Sequence, residues 1–298
     1  MRIPRRLLSI FFLTLLSAGT IQAQVTLEIQ AGDYARVGTP VKVILEAEDA
    51  LVADFAKLKI NDQVVQGQIC ELGLESLREM KGKAAPEDLR ELHFILPELP
   101  KGKTVQAQVT FGLSGKRQQR AFQFEDNEGL YTDLKLGDRP IMRYMYEALD
   151  TSSDQRIGET YKVYHHVYDP LGKRFVTKGA GGLFPHHRGL FYGFNKISYS
   201  VDGTAKTADI WHCRNGESQA HVEVVSEVAG DVIGRHLLKI DWKGKDGVPF
   251  ATELRELTAY NLKHGVMIGF ASKLQTLVGD IKLAGDPQHA GFQFRGSQ

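Results

Sequence analysis

Residues 179–189 bring chemically active side chains together within one short stretch. Glycines lie at 179, 181 and 182, Pro185 follows, and then come His186, His187 and Arg188 in succession. Because glycine allows sharp turns and proline stiffens them, this stretch predicts a loop that presents two imidazoles and a guanidinium. Imidazole titrates near neutral pH, which suits it to proton transfer, metal binding or hydrogen bonding to a substrate.

Two later histidines also have polar neighbours. Asp-Ile-Trp-His occupies 209–212, and His289 follows Asp-Pro-Gln at 286–288. We expect these segments to lie at strand ends, where they can converge with the loop at the mouth of a β-sandwich. The predicted catalytic residues are His187 and His212. The predicted substrate-binding residues are His186, Arg188, Asn195, Trp211, Arg255 and His289.

A metal site is one interpretation of these histidines. Histidines and carboxylates from different strands can form a three- or four-ligand site for zinc, iron or copper. Adjacent residues on a regular strand point to opposite faces, so His186 and His187 can share an ion only if their loop is irregular. The sequence contains no His-x-His or His-Glu-x-x-His spacing. We therefore predict no metal ligands and no required cofactor, and we keep a divalent metal as an alternative.

A carbohydrate site fits the residue types better. Sugars present apolar C–H faces and a rim of hydroxyls, which bind to aromatic platforms and hydrogen-bonding side chains. The candidate platforms are Trp211, Tyr192 and Tyr164, although a large aromatic residue in a strand is also typical of a core. Arg255 can bond a hydroxyl, but its spacing from Glu253 fits a structural ion pair equally well.

The leading functional hypothesis is an exported carbohydrate-active protein, acting as an isomerase, lyase or hydrolase. In this hypothesis His187 and His212 serve as acid and base, and Arg188 orients a sugar or glycan fragment. One alternative is a metal-dependent oxidoreductase or hydrolase that uses the histidine cluster. Another is a non-catalytic binding module of the cell envelope, with the same loop as its recognition surface.

The elements that must position these residues are predicted to be strands. Short segments that alternate apolar and polar residues, separated by polar turns, predict an immunoglobulin-like β-sandwich over residues 24–125. Residues 74–83 interrupt it with helical spacing, and 150–159 form a polar stretch later in the chain. Residues 126–298 predict a larger antiparallel β-sandwich that carries the site. The predicted fold class is therefore all-β, with two domains.

The first 23 residues predict an export signal. Three arginines precede an apolar centre at 7–16, and small and polar residues lead to Ala23. Cleavage there removes three arginines and no acid, so the net charge changes from +1 to −2. This near-neutral charge disfavours nucleic acid as a partner. A membrane-spanning helix needs about 20 predominantly apolar residues, and no later segment of the sequence is that long. We expect a periplasmic or extracellular protein that binds a small molecule or glycan.

Two further expectations concern the cysteines and the end of the chain. Cys70 and Cys213 lie in different predicted domains, and we expect two unpaired, mostly buried thiols, because a large core needs no disulfide. Residues 291–298 have the pattern of a strand that is cut short. We expect a carboxyl-terminal segment beyond them.

The motifs of the second domain resemble those of a secreted bacterial family known as PmoA or methane oxygenase, a domain of unknown function. The resemblance rests on Phe-Pro-His-His-Arg-Gly-Leu at 184–190, Gly-Phe-Asn at 193–195, Asp-Ile-Trp-His at 209–212 and His-Ala-Gly-Phe-Gln-Phe-Arg at 289–295. It covers residues 126–298, and family members usually continue past the last of these motifs. The methane-oxidising membrane subunit of that name is built from apolar spanning helices, so we reject methane oxidation here. A looser similarity in strand layout, to galactose-mutarotase-like supersandwich proteins, implies a sugar-binding fold by analogy.

Overall fold

A computed structural model describes residues 25–82, 85–113 and 120–297. It is mostly β, with 57% strand, 8% helix and several antiparallel sheets. This confirms the predicted all-β sandwich class. The predicted export signal lies outside the described residues.

The first compact unit contains the described residues 25–82 and 85–113, which form one antiparallel sheet. Its strands are β1 (Val25–Gln30), β2 (Arg36–Leu45), β3 (Phe55–Ile60), β4 (Gln63–Cys70), β5 (Arg90–Leu99) and β6 (Thr104–Gly112). Its helices are α1 (Glu48–Val52) and α2 (Leu74–Met80), and a 3₁₀ turn covers Pro86–Asp88. Helix α2 falls within the segment for which helical spacing was predicted.

All six strands of this unit join one continuous sheet in the order β1-β6-β3-β4-β5-β2. Period-two alternation places apolar residues such as Leu58, Phe94 and Val109 on its inner face, where they form a single buried core. The β3–β4 hairpin turns at Asn61, whose φ of 52° is the left-handed conformation that asparagine tolerates. This unit therefore has its own core.

The second compact unit comprises residues 120–298 and contains three sheets and one helix. Its first strands are β7 (Phe122–Asn127), β8 (Tyr131–Leu136), β9 (Arg139–Met145), β10 (Tyr164–Val167), β11 (Leu190–Phe194), β12 (Lys196–Val201) and β13 (Thr204–Ala208). The later strands are β14 (Ser218–Ala229), β15 (Ile233–Lys243), β16 (Pro249–Leu262), β17 (Gly265–Thr276), β18 (Lys282–Ala284) and β19 (Ala290–Phe294). Helix α3 (Asp154–Thr160) begins within the stretch 150–159, which was predicted only as polar, and ends one residue beyond it.

The largest sheet of this unit has the order β19-β11-β10-β9-β8-β7. A four-stranded sheet, β14-β15-β16-β17, and a three-stranded sheet, β13-β12-β18, complete it. Buried side chains from different sheets share one core cluster, for example Tyr144 of β9, Ile197 of β12 and Trp242 of β15. The unit is thus a layered antiparallel structure, and β19 pairs beside β11 although about 100 residues separate them in the chain.

The two units divide between Gln119 and Arg120, earlier than the boundary predicted at 125/126. The physical reason is that β7 pairs along its whole length with β8 of the second unit. No disulfide joins Cys70 to Cys213 among the described residues, and Cys213 is a buried thiol whose pKa burial raises to about 12. Within the described part of the chain, no helix is both long and apolar enough to cross a membrane.

Candidate metal centre

The predicted glycine-rich loop connects β10 to β11 and is tied down from within. The ammonium of Lys178 donates hydrogen bonds to the carbonyl oxygens of Gly179, Gly181 and Phe184, at 3.2, 2.6 and 3.3 Å. At the far end, Gly189 has a φ of +38°, and a Cβ there would lie 2.1 Å from the carbonyl oxygen of His165. The loop therefore needs glycine at its exit, because the backbone of β10 passes too close for a side chain.

Strand pairing brings the three predicted polar segments to this loop. Strand β19 pairs antiparallel with β11, so His289, which directly precedes β19, lies beside the carboxyl end of β11. The backbone N–H of Asn195 donates to the carbonyl oxygen of His289 at 3.0 Å. The N–H of Trp211 donates to the carbonyl oxygen of Phe194 at 3.2 Å, which holds the His212 segment at the same end of β11.

Three histidines converge there: His186, His212 and His289. One ring nitrogen from each lies within 4.8 Å of the other two. Around one tetrahedral ion at ordinary Zn–N distances, ligand nitrogens are about 3.4 Å apart, so modest ring rotations suffice to reach that spacing. His186 is buried, and His212 and His289 are partly exposed, so the group opens toward solvent on one side.

Two of these imidazoles are held by an aspartate three residues earlier in the chain. His212 Nδ1 is 2.7 Å from Asp209 Oδ2, and His289 Nδ1 is 2.6 Å from Asp286 Oδ1. An ionised carboxylate only accepts hydrogen bonds, so Nδ1 is the donor in each ring and Nε2 is the nitrogen left to bind a metal. This is the arrangement that orients metal-ligating histidines and raises their basicity.

Each aspartate is itself fixed by further donors. Asp209 Oδ1 accepts from the backbone N–H of Trp211 and of His212, at 3.0 and 2.8 Å. Asp286 Oδ2 accepts from the Asn195 side-chain amide at 2.8 Å. Although burial opposes it, the hydrogen bonds from Asn195 and His289 lower the pKa of Asp286. Asn195, predicted to contact substrate, thus orients the carboxylate that orients His289.

The two adjacent histidines of the loop take different positions. Burial lowers the pKa of His186 to about 3, so its imidazole is neutral at physiological pH, which is the form that binds metals. His187 lies outside the three-histidine group, with its ring centroid 4.3 Å from that of His186. Its ring nitrogens make no hydrogen bond to a described residue, and burial, followed by the charge of Arg295, lowers its pKa.

Arg188 does not reach the open side of the group. It is fully buried, and its guanidinium donates to the carbonyl oxygens of Pro185, Gly158 and Glu159 at 2.6–3.0 Å. It also stacks on Tyr161, with 4.3 Å between the guanidinium carbon and the ring centroid. These contacts favour an architectural role, joining the loop to helix α3, over the substrate contact that the sequence suggested.

Trp211 and Arg255 are also buried, and their contacts are with other interior side chains. Trp211 is 1% exposed, and its ring packs against Phe191 and His289 at centroid distances of 5.0 and 5.7 Å. Arg255 is fully buried and pairs with both carboxylate oxygens of Glu253 at 2.8 and 2.9 Å. Trp211 therefore forms a wall behind the histidines, while Arg255 belongs to an ion pair in the core.

The sequence reasoning gave no role to Asp209, Asp286 or Lys178. The signal for both aspartates was visible as a repeated Asp-x-x-His spacing, at 209–212 and 286–289. That spacing lets a carboxylate cap its turn and still reach the imidazole three residues later. Lys178 had no comparable signal, because the carbonyl oxygens that it binds are brought together only by the folded loop.

The fold and the site together define a class: an all-β protein with a three-histidine centre at the end of an antiparallel sheet. Residues 131–298 match the model of a family of unknown function, DUF6807, and the chain belongs to that family. Searches of curated proteins and of solved structures returned no match. Neither a PmoA nor a mutarotase-like name is supported by any homologue.

Proposed function

We propose that this protein is a metal-dependent enzyme whose ion is held by His186, His212 and His289. The observation that carries the proposal is the convergence of three ligand nitrogens within 4.8 Å, two of them on rings oriented by aspartates. Imidazole suits zinc, copper, iron and nickel, and three neutral histidines leave a coordination position for water or substrate. Bound there, an ion would polarise a substrate oxygen or lower the pKa of a water molecule.

Other residues of the site would orient the ligands, exclude water and contact the substrate. Asp209 and Asp286 keep two rings in the ligating tautomer, and Trp211 excludes water from behind them. His187 stands beside the centre without a hydrogen-bond partner among the described residues, close enough to bond to a molecule bound there. This supports hydrolysis, elimination or isomerisation at an oxygen-bearing carbon, with His187 contacting the substrate.

The test is the metal content of protein purified without chelator. We expect close to one zinc or other transition-metal ion per chain, and a loss of most of it in His186→Ala, His212→Ala and His289→Ala. His187→Ala should keep the metal, because His187 is outside the ligand group. His264→Ala, which removes an exposed histidine, is the matched control. Wild-type protein that neither carries nor takes up a transition metal would overturn the proposal.

A metal-free carbohydrate-active site is the second candidate, and the exposure of Phe184 favours it. Its ring is 45% exposed, with its centroid 5.1 Å from that of His187, so it offers an aromatic face at the mouth of the site. Binding of a sugar to chelator-treated protein, abolished by His187→Ala, would favour this candidate. Binding with no turnover of any sugar would favour the envelope-module alternative.

The predicted export signal and charge balance support an extracytoplasmic protein whose ligand is a small molecule or a glycan. Both proposed functions are compatible with that location.

A further inference from the structure

Arg295 lies at the base of the site loop. Its backbone N–H donates to the carbonyl oxygen of Gly189, and its own carbonyl accepts from the N–H of Lys178, both at 3.0 Å. Lys178 and Gly189 are the two ends of the loop that carries His186 and His187. Arg295 is therefore hydrogen-bonded into the same structure as the histidines.

Arg295 directly follows β19, and its side chain lies on the face of this extended segment that is turned toward the site. In β19, Phe292 and Phe294 are half exposed, whereas Gln293 between them is buried opposite Phe191. Side chains alternate along extended backbone, so Arg295 shares the face of Gln293. Phe191 on that face packs against Trp211, which in turn packs against His289.

One hydrogen-bond donor of the Arg295 guanidinium lacks an acceptor in the described part of the chain. Its Nε is buried and has no hydrogen-bond partner among the described residues, and no described carboxylate forms an ion pair with it. By contrast, Arg143 is paired with Asp133, and Arg255 with Glu253. The aspartates nearest the centre already hold His212 and His289. A buried guanidinium N–H without an acceptor is unfavourable, and an anion bound to Arg295 would supply that acceptor through a charge-assisted hydrogen bond.

We propose that Arg295 binds the carboxylate of the substrate, so that the site takes a small organic acid, a hydroxy acid or sugar acid, rather than a neutral sugar. The proposal rests on the proposed metal centre, which would bind a neighbouring substrate oxygen. Arg295 binds the anionic end, and the exposed face of Phe184 covers the carbon skeleton. Arginine suits this role because its planar fork matches a carboxylate.

The experiment is calorimetric titration of zinc-loaded and of chelator-treated protein with two matched probe pairs. Glycolate is compared with ethylene glycol, and D-glucuronate with D-glucose, because each pair differs in a carboxylate. We expect wild-type protein to bind at least one acid about tenfold or more tightly than its neutral partner. Arg295→Gln should lose that preference, and Arg295→Lys should retain part of it.

Two controls separate this proposal from the metal centre. Arg78→Gln removes the same charge from an exposed position in the amino-terminal unit and should leave the preference unchanged. Zinc content and melting temperature of Arg295→Gln should match the wild type, which shows that the variant is folded and loaded. Equal binding of acids and neutral partners by wild type, or an undiminished preference in Arg295→Gln, would overturn the role of Arg295. Absence of zinc uptake in the same samples would overturn the metal centre instead.

Discussion

At the scale of single residues, the site is built from pairs rather than from isolated histidines. Asp209 with His212 and Asp286 with His289 repeat the same three-residue spacing and the same Nδ1-to-carboxylate hydrogen bond. The repetition matters because the two segments lie in different parts of the chain and meet only at this centre. Carboxylates hydrogen-bonded in this way orient metal-ligating histidines.

Replacing either aspartate by alanine should weaken metal binding without removing a ligand. We expect Asp209→Ala and Asp286→Ala each to lower zinc affinity by about 10- to 100-fold, because the ring loses its orientation and some of its basicity. Competition with a chromophoric chelator measures the change. Asp246→Ala removes a carboxylate paired with Lys206 in a surface turn and serves as the control. Unchanged affinity in both site variants would contradict the ligand assignment.

At the scale of elements, the geometry depends on one loop held between β10 and β11. Arg188 joins it to the carbonyl end of α3, Lys178 gathers its carbonyl oxygens, and Gly189 lets it pass β10. These contacts separate two neighbouring histidines, so that His186 joins the ligand group and His187 stands beside it. The loop is thus a folded element in its own right, in spite of its three opening glycines.

Gly189→Ala should be much more damaging than Gly181→Ala. Both positions have positive φ, +38° and +87°, but a Cβ at 189 would meet the carbonyl oxygen of His165 at 2.1 Å, whereas nothing lies within 4 Å of one at 181. We expect Gly181→Ala to lower the free energy of unfolding by about 1 kcal/mol, from backbone strain alone. Gly189→Ala should lower it by about 3 kcal/mol or more, because overpacking adds to the strain.

Urea denaturation followed by tryptophan fluorescence measures this difference. Both tryptophans, Trp211 and Trp242, lie in the second unit, so the signal reports on the unit that carries the loop. Zinc affinity should fall in Gly189→Ala and stay near wild type in Gly181→Ala. Equal destabilisation by the two substitutions would show that the loop adjusts freely, against the close packing described above.

At the scale of the whole molecule, the second unit carries imidazoles in its core that are not part of the site. His165 and His236 are 1% and 3% exposed, and both pack around the ring of Tyr144. Burial lowers the pKa of His236 to about 3 and lowers that of His165 well below its usual value. The folded unit therefore holds both rings neutral.

Acid should destabilise the second unit over a defined range. Because the folded pKa values lie below the unfolded value near 6.5, the unfolded chain takes up more protons, and stability is full above that value and falls below it. We expect the free energy of unfolding to drop between pH 7 and pH 5 by about 2 kcal/mol for each of the two rings. Urea midpoints read from tryptophan fluorescence give the profile.

His236→Leu should make that profile shallower, because it removes one of the groups that take up a proton on unfolding. His264→Leu, at an exposed position, should leave the slope unchanged. A wild-type midpoint that is constant from pH 7 to pH 5 would contradict the description of these rings as buried and neutral.

The amino-acid sequence alone predicts the all-β class and the segments that contain the site. Period-two alternation is a local property, so hairpins such as β3–β4 and β8–β9 could be predicted from the residues. The Asp-x-x-His pairs are equally local, and their hydrogen bonds could have been proposed from spacing alone. The histidine-rich loop could be located because its glycines and proline lie next to its functional residues.

Long-range packing determines which histidines form the group and which charged side chains remain available to a ligand. His186 and His289 are about 100 residues apart in the chain and meet because β19 pairs with β11. That long-range pairing is specified by the burial of whole strand faces. The same packing buried Arg188 and Arg255 among internal acceptors and left the buried Nε of Arg295 without one among the described residues. Residue type reveals what a side chain can do, but its partners and exposure are set by the rest of the fold, and these decide what it does.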